Sequence, residues 1–267
     1  MTVRVWLFLM LAALISGCAG LPGATVQHVD DRPLEFVAHA DVGPVVVFEN
    51  GLAGRMEWWS KVLPALENDT AYFAYNRPGY GKSAPVESPR DGAHIVKELR
   101  ATLKSLGMHP PYVLVGHSLG GLYMQLFARQ HPQDVAALIL VDSTHPLQLE
   151  GAGAIDKQSL WVRSAFKVLV TGTAQQELDL LSRTGEQVLS WPTLTGIPVS
   201  VLSASAPLND TSEVGQFAHQ KRADIAHLYP GSKQVWVNSS HAIPLEKPEA
   251  VVDAIRSALA SARNGKH

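Results

Sequence analysis

The stretch from Leu114 to Leu122 reads LVGHSLGGL, an apolar run that stops on Gly116, His117, Ser118, Leu119 and Gly120. Such a run, without polar alternation, suits a strand covered on both faces. After it, Leu119, Leu122, Tyr123, Leu126 and Phe127 step at helical spacing. Ser118 therefore stands where a strand turns into a helix, the setting required of a nucleophilic serine. Gly116 and Gly120 allow the close backbone approaches of so tight a turn. The helix start offers free N–H groups and a partial positive charge to a developing anion. The five-residue pattern alone is too short to assign chemistry, so the rest of the chain has to support it.

Working outward, similar bursts recur as PVVVF from Pro44, AYFAY from Ala71, YVLV from Tyr112, AALILV from Ala136, PVSVL from Pro198 and QVWV from Gln234. Ahead of them, the loose alternation from Val26 to Ala40 predicts a hairpin. Helical patterns lie between most bursts: Ile95, Leu99, Leu103 and Leu106 form one face, and Val251, Val252, Ile255, Ala258 and Leu259 form another after Pro248. Strands alternating with helices predict an α/β fold, a mainly parallel central sheet flanked by helices, over residues 26–267. Residues 146–196 interrupt the alternation with helical patterns and no convincing strand, and read as a helical cap insertion over the sheet. Within it Trp161, Phe166 and Trp191 are candidates to line an apolar acyl pocket, and Trp58 and Trp59 divide between pocket and core.

The 267 residues are 46% hydrophobic, enough for one large core. Lys plus Arg is 22 against 24 for Asp plus Glu, so no overall field favours nucleic acid. Arg4 precedes an apolar run from Val5 to Ile15, and no acidic residue occurs before Asp30. This is the layout of a secretory signal peptide over 1–17, too short for the roughly 20 apolar residues of a bilayer span. The run closes on Ile15-Ser16-Gly17-Cys18, which resembles bacterial lipoprotein signals. The resemblance implies lipidation of Cys18, a tether over 18–25, and a lipid-anchored place in the cell envelope, with Ala19 pointing to the outer membrane or periplasmic face if the source has an outer membrane. Cys18 is the only cysteine, so no intramolecular disulfide is available.

A serine hydroxyl needs a base and an acid to activate it. Of 11 histidines, His241 is best placed, in the loop NSSHAIPLEKPE between the last strand pattern and the last helix. His117 points away from Ser118 around the turn and reads as structural or pocket-lining. His94, His109, His131, His219, His227 and His267 read as solvated or capping residues. None has a metal-ligand spacing such as His-Glu-x-x-His, and no metal or other cofactor is expected.

Four stretches, VGHSLGGL, NRPGYGKS from Asn76, LILVDSTHP from Leu138 and SSHAIPLEKPE, together resemble the α/β-hydrolase superfamily over essentially the whole mature chain. That resemblance implies a cofactor-free serine hydrolase, esterase-like, acting on a small-molecule ester or other acyl substrate. Ser118 would be the nucleophile and His241 the base. The acid follows the sixth or the seventh strand in this superfamily, so Asp142 and Asp210 both qualify, with Asp142 preferred because it ends the sixth strand pattern. The oxyanion would be held by the backbone N–H groups of Leu119 and Leu52, the latter in FENGLAG, where Asn50-Gly51 replaces the usual His-Gly. Serine at the elbow argues against the haloalkane dehalogenases and epoxide hydrolases, which carry aspartate there. Amidase, thioesterase and acyltransferase chemistry, or a catalytically silent lipoprotein that uses the fold for binding, stay open.

Overall fold

A computed structural model describes residues 20–41, 43–157, 170–206 and 212–264. Its strands are β1 (Thr25–Val29), β2 (Arg32–His39), β3 (Val45–Glu49), β4 (Tyr72–Tyr75), β5 (Tyr112–His117), β6 (Val135–Val141), β7 (Val199–Ala204) and β8 (Lys233–Val237). They form one sheet in the order β1-β2-β4-β3-β5-β6-β7-β8. The hairpin β1–β2 is antiparallel and joins β4 antiparallel, whereas every pairing from β4 through β8 is parallel.

The apolar bursts are continuous because the sheet is buried on both faces, and the period of two sorts their side chains. Val45 and Val47 of β3, Leu114 of β5, and Leu138 and Leu140 of β6 enter one core. Val46, Phe48, Val113, Val115, Ile139 and Val141 enter the other. The first core is closed by α1 (Gly92–Ser105) and α2 (Leu119–Gln130), through Ile95, Leu99, Leu122 and Leu126. The second is closed by the 3-10 turns Met56–Trp59 and Leu63–Leu66 and by the C-terminal helix, through Trp59, Leu66, Val251 and Ile255. The run QVWV differs from the other bursts: β8 ends the sheet, and Val235 and Trp236 are exposed, the Trp236 ring stacking on His219.

Within 146–196 the described residues carry 3-10 turns at Gly151–Gly153 and Ile155–Lys157, then α3 (Thr173–Asp179) and α4 (Leu181–Leu189). Helix α4 lies in the layer beside α1 and α2. Its Thr184 hydroxyl and Gln187 side-chain Oε1 accept the N–H groups of Gly92 and Ala93 at 2.9 and 3.0 Å. These bonds satisfy donors that the first turn of α1 cannot satisfy itself, while Asp91 accepts from the His94 N–H. Trp161 and Phe166 lie outside the described residues. Trp191 is 42% exposed just beyond α4, where its carbonyl accepts from Arg129 in the last turn of α2. That is the end of α2 remote from Ser118, about 16 Å away at 1.5 Å per residue, so the expectation that Trp191 lines an acyl pocket is corrected. Among the described residues three further helices follow: α5 (Glu213–His227) after β7, then, after β8, the short α6 (Ile243–Glu246) leading into α7 (Pro248–Asn264).

Leu114 is fully buried in the central strand, so Leu114→Ala should lose about 2–5 kcal/mol of stability through a cavity. Val26 on β1 is exposed, and Val26→Ala should change stability by less than about 0.5 kcal/mol. Urea unfolding of the two variants checks the difference.

Candidate active site

Ser118 joins β5 to α2 with φ 54 and ψ −124, a conformation an L-residue adopts only under constraint. The constraint is visible. The Ser118 N–H donates to the Val141 carbonyl at 3.1 Å, and its own carbonyl accepts the N–H groups of Gly121 and Thr144, both at 2.9 Å. Glycine is required on both sides. A Cβ on Gly116 would stand 2.6 Å from the Gly120 carbonyl oxygen, and one on Gly120 would stand 2.5 Å from the Asn50 and Glu49 carbonyl oxygens. The strand, the helix start and the end of β3 are therefore in backbone contact at this turn.

Asp142 follows β6 immediately and also has positive φ, 39°. Its N–H donates to the Leu202 carbonyl at 2.7 Å, which ties the residue to the neighbouring strand β7. Its carboxylate accepts from His241 Nδ1 at 2.6 Å, from the Ala204 N–H at 3.0 Å, and from Arg222 of α5 at 2.8 and 3.3 Å. Burial alone would raise the Asp142 pKa, but the His241 hydrogen bond and the Arg222 charge hold it well below the usual carboxylate range. Since an ionised carboxylate only accepts, the proton of neutral His241 sits on Nδ1 and Nε2 carries the lone pair. The His241 side chain is 24% exposed against 1% for Asp142. The acid is thus dry and the imidazole is reachable. Asp210, the alternative acid, lies outside the described residues.

His117 is buried between Trp58 and His241. The Trp58 ring stacks on it with centroids 4.8 Å apart, and the His241 ring stands 4.6 Å away on centroids. His117 Nε2 lies 2.9 Å from the His241 carbonyl, an acceptor, so Nε2–H is the donor in this contact. His117 is thereby a structural prop for the loop that carries His241. Burial pushes its pKa down to about 3, with the neighbouring His241 adding to the effect. Trp59 is wholly buried against Phe48 and meets the His117 ring edge-on with centroids 6.4 Å apart, so both tryptophans border this cluster, Trp58 by stacking and Trp59 from the core side.

The FENGLAG loop lies directly against the elbow. A Cβ on Gly51 would stand 3.0 Å from Ser118 Cβ and 3.5 Å from Ser118 Oγ. Among the described residues the N–H of Leu52, next in the chain, has no protein acceptor, in keeping with a donor left free for a ligand. Leu119 opens α2, where N–H groups lack intrahelical partners. Among the described residues no group of three or more His, Cys, Asp or Glu could hold a metal ion.

Sequence reasoning missed Arg222, Arg77, Glu49, Glu177 and His145. Arg77 is visible in NRPGYGKS, but nothing in its spacing says that it is buried. His145, in the quoted LILVDSTHP, is buried, accepts the Leu147 N–H at 3.0 Å, and has its pKa pushed down to about 4 by burial and by Lys221.

Sequence and fold comparisons agree with this fold. A family model described as alpha/beta hydrolase fold matches residues 44–175. The chain has the alpha/beta hydrolase fold. The uncharacterized protein YqjL of Bacillus subtilis strain 168 is 33% identical over 100 residues, 38% of this chain and 40% of YqjL. The match thus spans less than half of that relative's length. Among solved structures, the epoxide hydrolase CorEH superposes with TM-score 0.64 at 17% identity, covering 89% of this chain and 98% of CorEH. The enol-lactonase of Burkholderia xenovorans LB400 superposes with TM-score 0.62 at 15% identity, covering 88% of this chain and 100% of the lactonase. At these identities the superpositions establish the fold, and different chemistries share it.

The folded pKa of His117 lies below the 6.5 of an unperturbed histidine, so between those values the unfolded chain binds the extra proton. Stability therefore falls as pH drops below about 6.5, by up to about 1.4 kcal/mol per pH unit for one proton. His117→Gln should flatten this acid-side slope by close to one proton while leaving the share from His145. Urea unfolding free energies measured at a series of pH values between about 6.5 and 4.5 test it.

Proposed function

We propose that the chain is a cofactor-free serine hydrolase that cleaves an ester through an acyl-enzyme on Ser118. The observation that carries the reading is the 2.6 Å bond from His241 Nδ1 to a buried, ionised Asp142 at the end of the strand next to the elbow. That bond leaves His241 Nε2 as the base. Nε2 takes the Ser118 hydroxyl proton as Oγ attacks the carbonyl carbon, and Asp142 stabilises the imidazolium without itself taking the proton. The N–H groups of Leu52 and Leu119 receive the negative charge that develops on the carbonyl oxygen. Collapse of the tetrahedral intermediate expels the alcohol, which takes the proton from Nε2. Water then repeats the sequence on the acyl-enzyme and releases the acid.

Serine at the elbow separates this reading from the epoxide hydrolases that share the fold. We further infer that 1–17 is a signal peptide and that Cys18 becomes a lipidated N-terminus, holding the hydrolase in the cell envelope. The sequence of Arg4, the apolar run and Ile15-Ser16-Gly17-Cys18 supports this, and all of it lies outside the described residues.

A fluorophosphonate probe should form an adduct on Ser118 of the wild type and none on Ser118→Ala. With p-nitrophenyl esters of graded chain length, Asp142→Asn should lower kcat by about 10⁴-fold, and Asp210→Asn should stay near the wild type; the reverse pattern would transfer the acid role to Asp210. Mass spectrometry of protein recovered from membranes should find a diacylglyceryl-modified Cys18 as the first residue, and an unmodified N-terminus other than Cys18 would overturn the anchor.

A further inference from the structure

Arg77, in the loop after β4, is 1% exposed and spends its whole guanidinium on five acceptors. Nε and Nη2 form a fork on Glu177 of α3 at 2.9 and 2.8 Å. Nη1 donates to Glu49 at 2.7 Å and to the Asn50 carbonyl at 2.6 Å, and Nη2 also donates to the Gly51 carbonyl at 2.9 Å. Tyr75 and Tyr80 complete the cluster, their hydroxyls donating to Glu49 at 2.6 Å and to Glu177 at 2.8 Å. Two carboxylates thus share one cation in a dry interior.

Such a cluster is an inefficient way to gain stability, because desolvating three charges offsets much of their attraction. Its geometry points instead to the backbone it grips. The Gly51 carbonyl and the Leu52 N–H belong to one planar trans peptide and point in opposite directions. Fixing the oxygen on Arg77 fixes the direction of the N–H. The loop needs such a hold. Ala53 has φ 55 in the Gly51–Gly54 turn, an unfavourable position for an L-residue, and the turn's own bond from the Gly54 N–H to the Gly51 carbonyl is a long 3.2 Å. The same loop touches Ser118 through Gly51.

We propose that Arg77, braced by Glu177, is a positioning residue for the oxyanion site: it aims the Leu52 N–H at the acyl carbonyl oxygen. This rests on the serine hydrolase reading above. Because Glu177 comes from α3 in the 146–196 segment, that helical segment, through one side chain, takes part in setting the oxyanion site.

The test compares Arg77→Lys, Glu177→Gln and a core control, Leu103→Ala, in the full chain. A lysine keeps the charge but has no fork to span Glu177 and two carbonyls at once. Glu177→Gln keeps the shape and weakens the brace, and serves if Arg77→Lys does not fold. Kinetics with a short-chain p-nitrophenyl ester and the rate of fluorophosphonate labelling of Ser118 are both read on folded protein. Expected are a fall in kcat of about 10–100-fold for Arg77→Lys, a smaller fall for Glu177→Gln, and KM within about threefold of wild type, since the lost interaction acts in the transition state. Labelling should slow in parallel, and Leu103→Ala should lose stability but keep kcat. Unchanged kcat and labelling in folded Arg77→Lys or Glu177→Gln would overturn the positioning role and leave the hydrolase reading standing. A wild type that forms no adduct and turns over no ester would overturn both.

Discussion

The backbone of Ser118 is the constraint on which the arrangement depends. A residue with φ 54 between a strand and a helix is unfavourable by about 1–3 kcal/mol and persists only where its surroundings over-determine it. Here they do so from three sides: Val141 at the end of β6 accepts its N–H, Thr144 beyond β6 donates to its carbonyl, and β3 presses on Gly120. The groups that hold the turn are therefore the ends of the strands that flank β5 in the sheet. Those same ends carry Asp142 on one side and the Gly51–Leu52 loop on the other. Strain at one residue and convergence of the site are consequences of one packing arrangement.

Charge is distributed around that turn in two buried groups. On one side Arg222 and His241 share Asp142; on the other Glu49 and Glu177 share Arg77. Each group anchors something that carries no charge of its own: the orientation of an imidazole in the first, the direction of a peptide in the second. Burial of Asp142 in the first group and of Arg77, Glu49 and Glu177 in the second makes these bonds strong and leaves little freedom of geometry, which suits positioning better than it suits stability. Between the groups His117 stays neutral, with Trp58 on one face and His241 beside it, and adds a prop to the His241 loop without adding a third charge.

Much of this was legible in the sequence. The parallel sheet appeared as unbroken apolar bursts because strands covered on both faces have no polar side, and each burst from PVVVF onward coincides with an observed strand. Ser118, Asp142 and His241 were legible as candidates because a glycine pair, a strand end and a loop before the last helix are local marks. The exposed face of β8 was not legible, since QVWV looks like the other bursts and only its place at the edge of the sheet uncovers Val235 and Trp236. Trp191 misled for the same reason: an aromatic residue in a helical segment carries no sign of which end of α2 it will meet.

The sequence by itself determined the alternation of strands and helices, the turn at Ser118 and the candidates for base and acid, because these follow from periodicity, from glycine's missing side chain and from chain order. Only the tertiary structure decided that Asp142 is the carboxylate on His241, that Arg222 shares it, and that Arg77 reaches the Gly51 carbonyl while held by Glu177, 100 residues further along the chain. Those contacts join residues far apart in sequence through buried charges. Which charges meet depends on the register of neighbouring strands and the seating of helices on the sheet, and neither leaves a local trace in the order of residues.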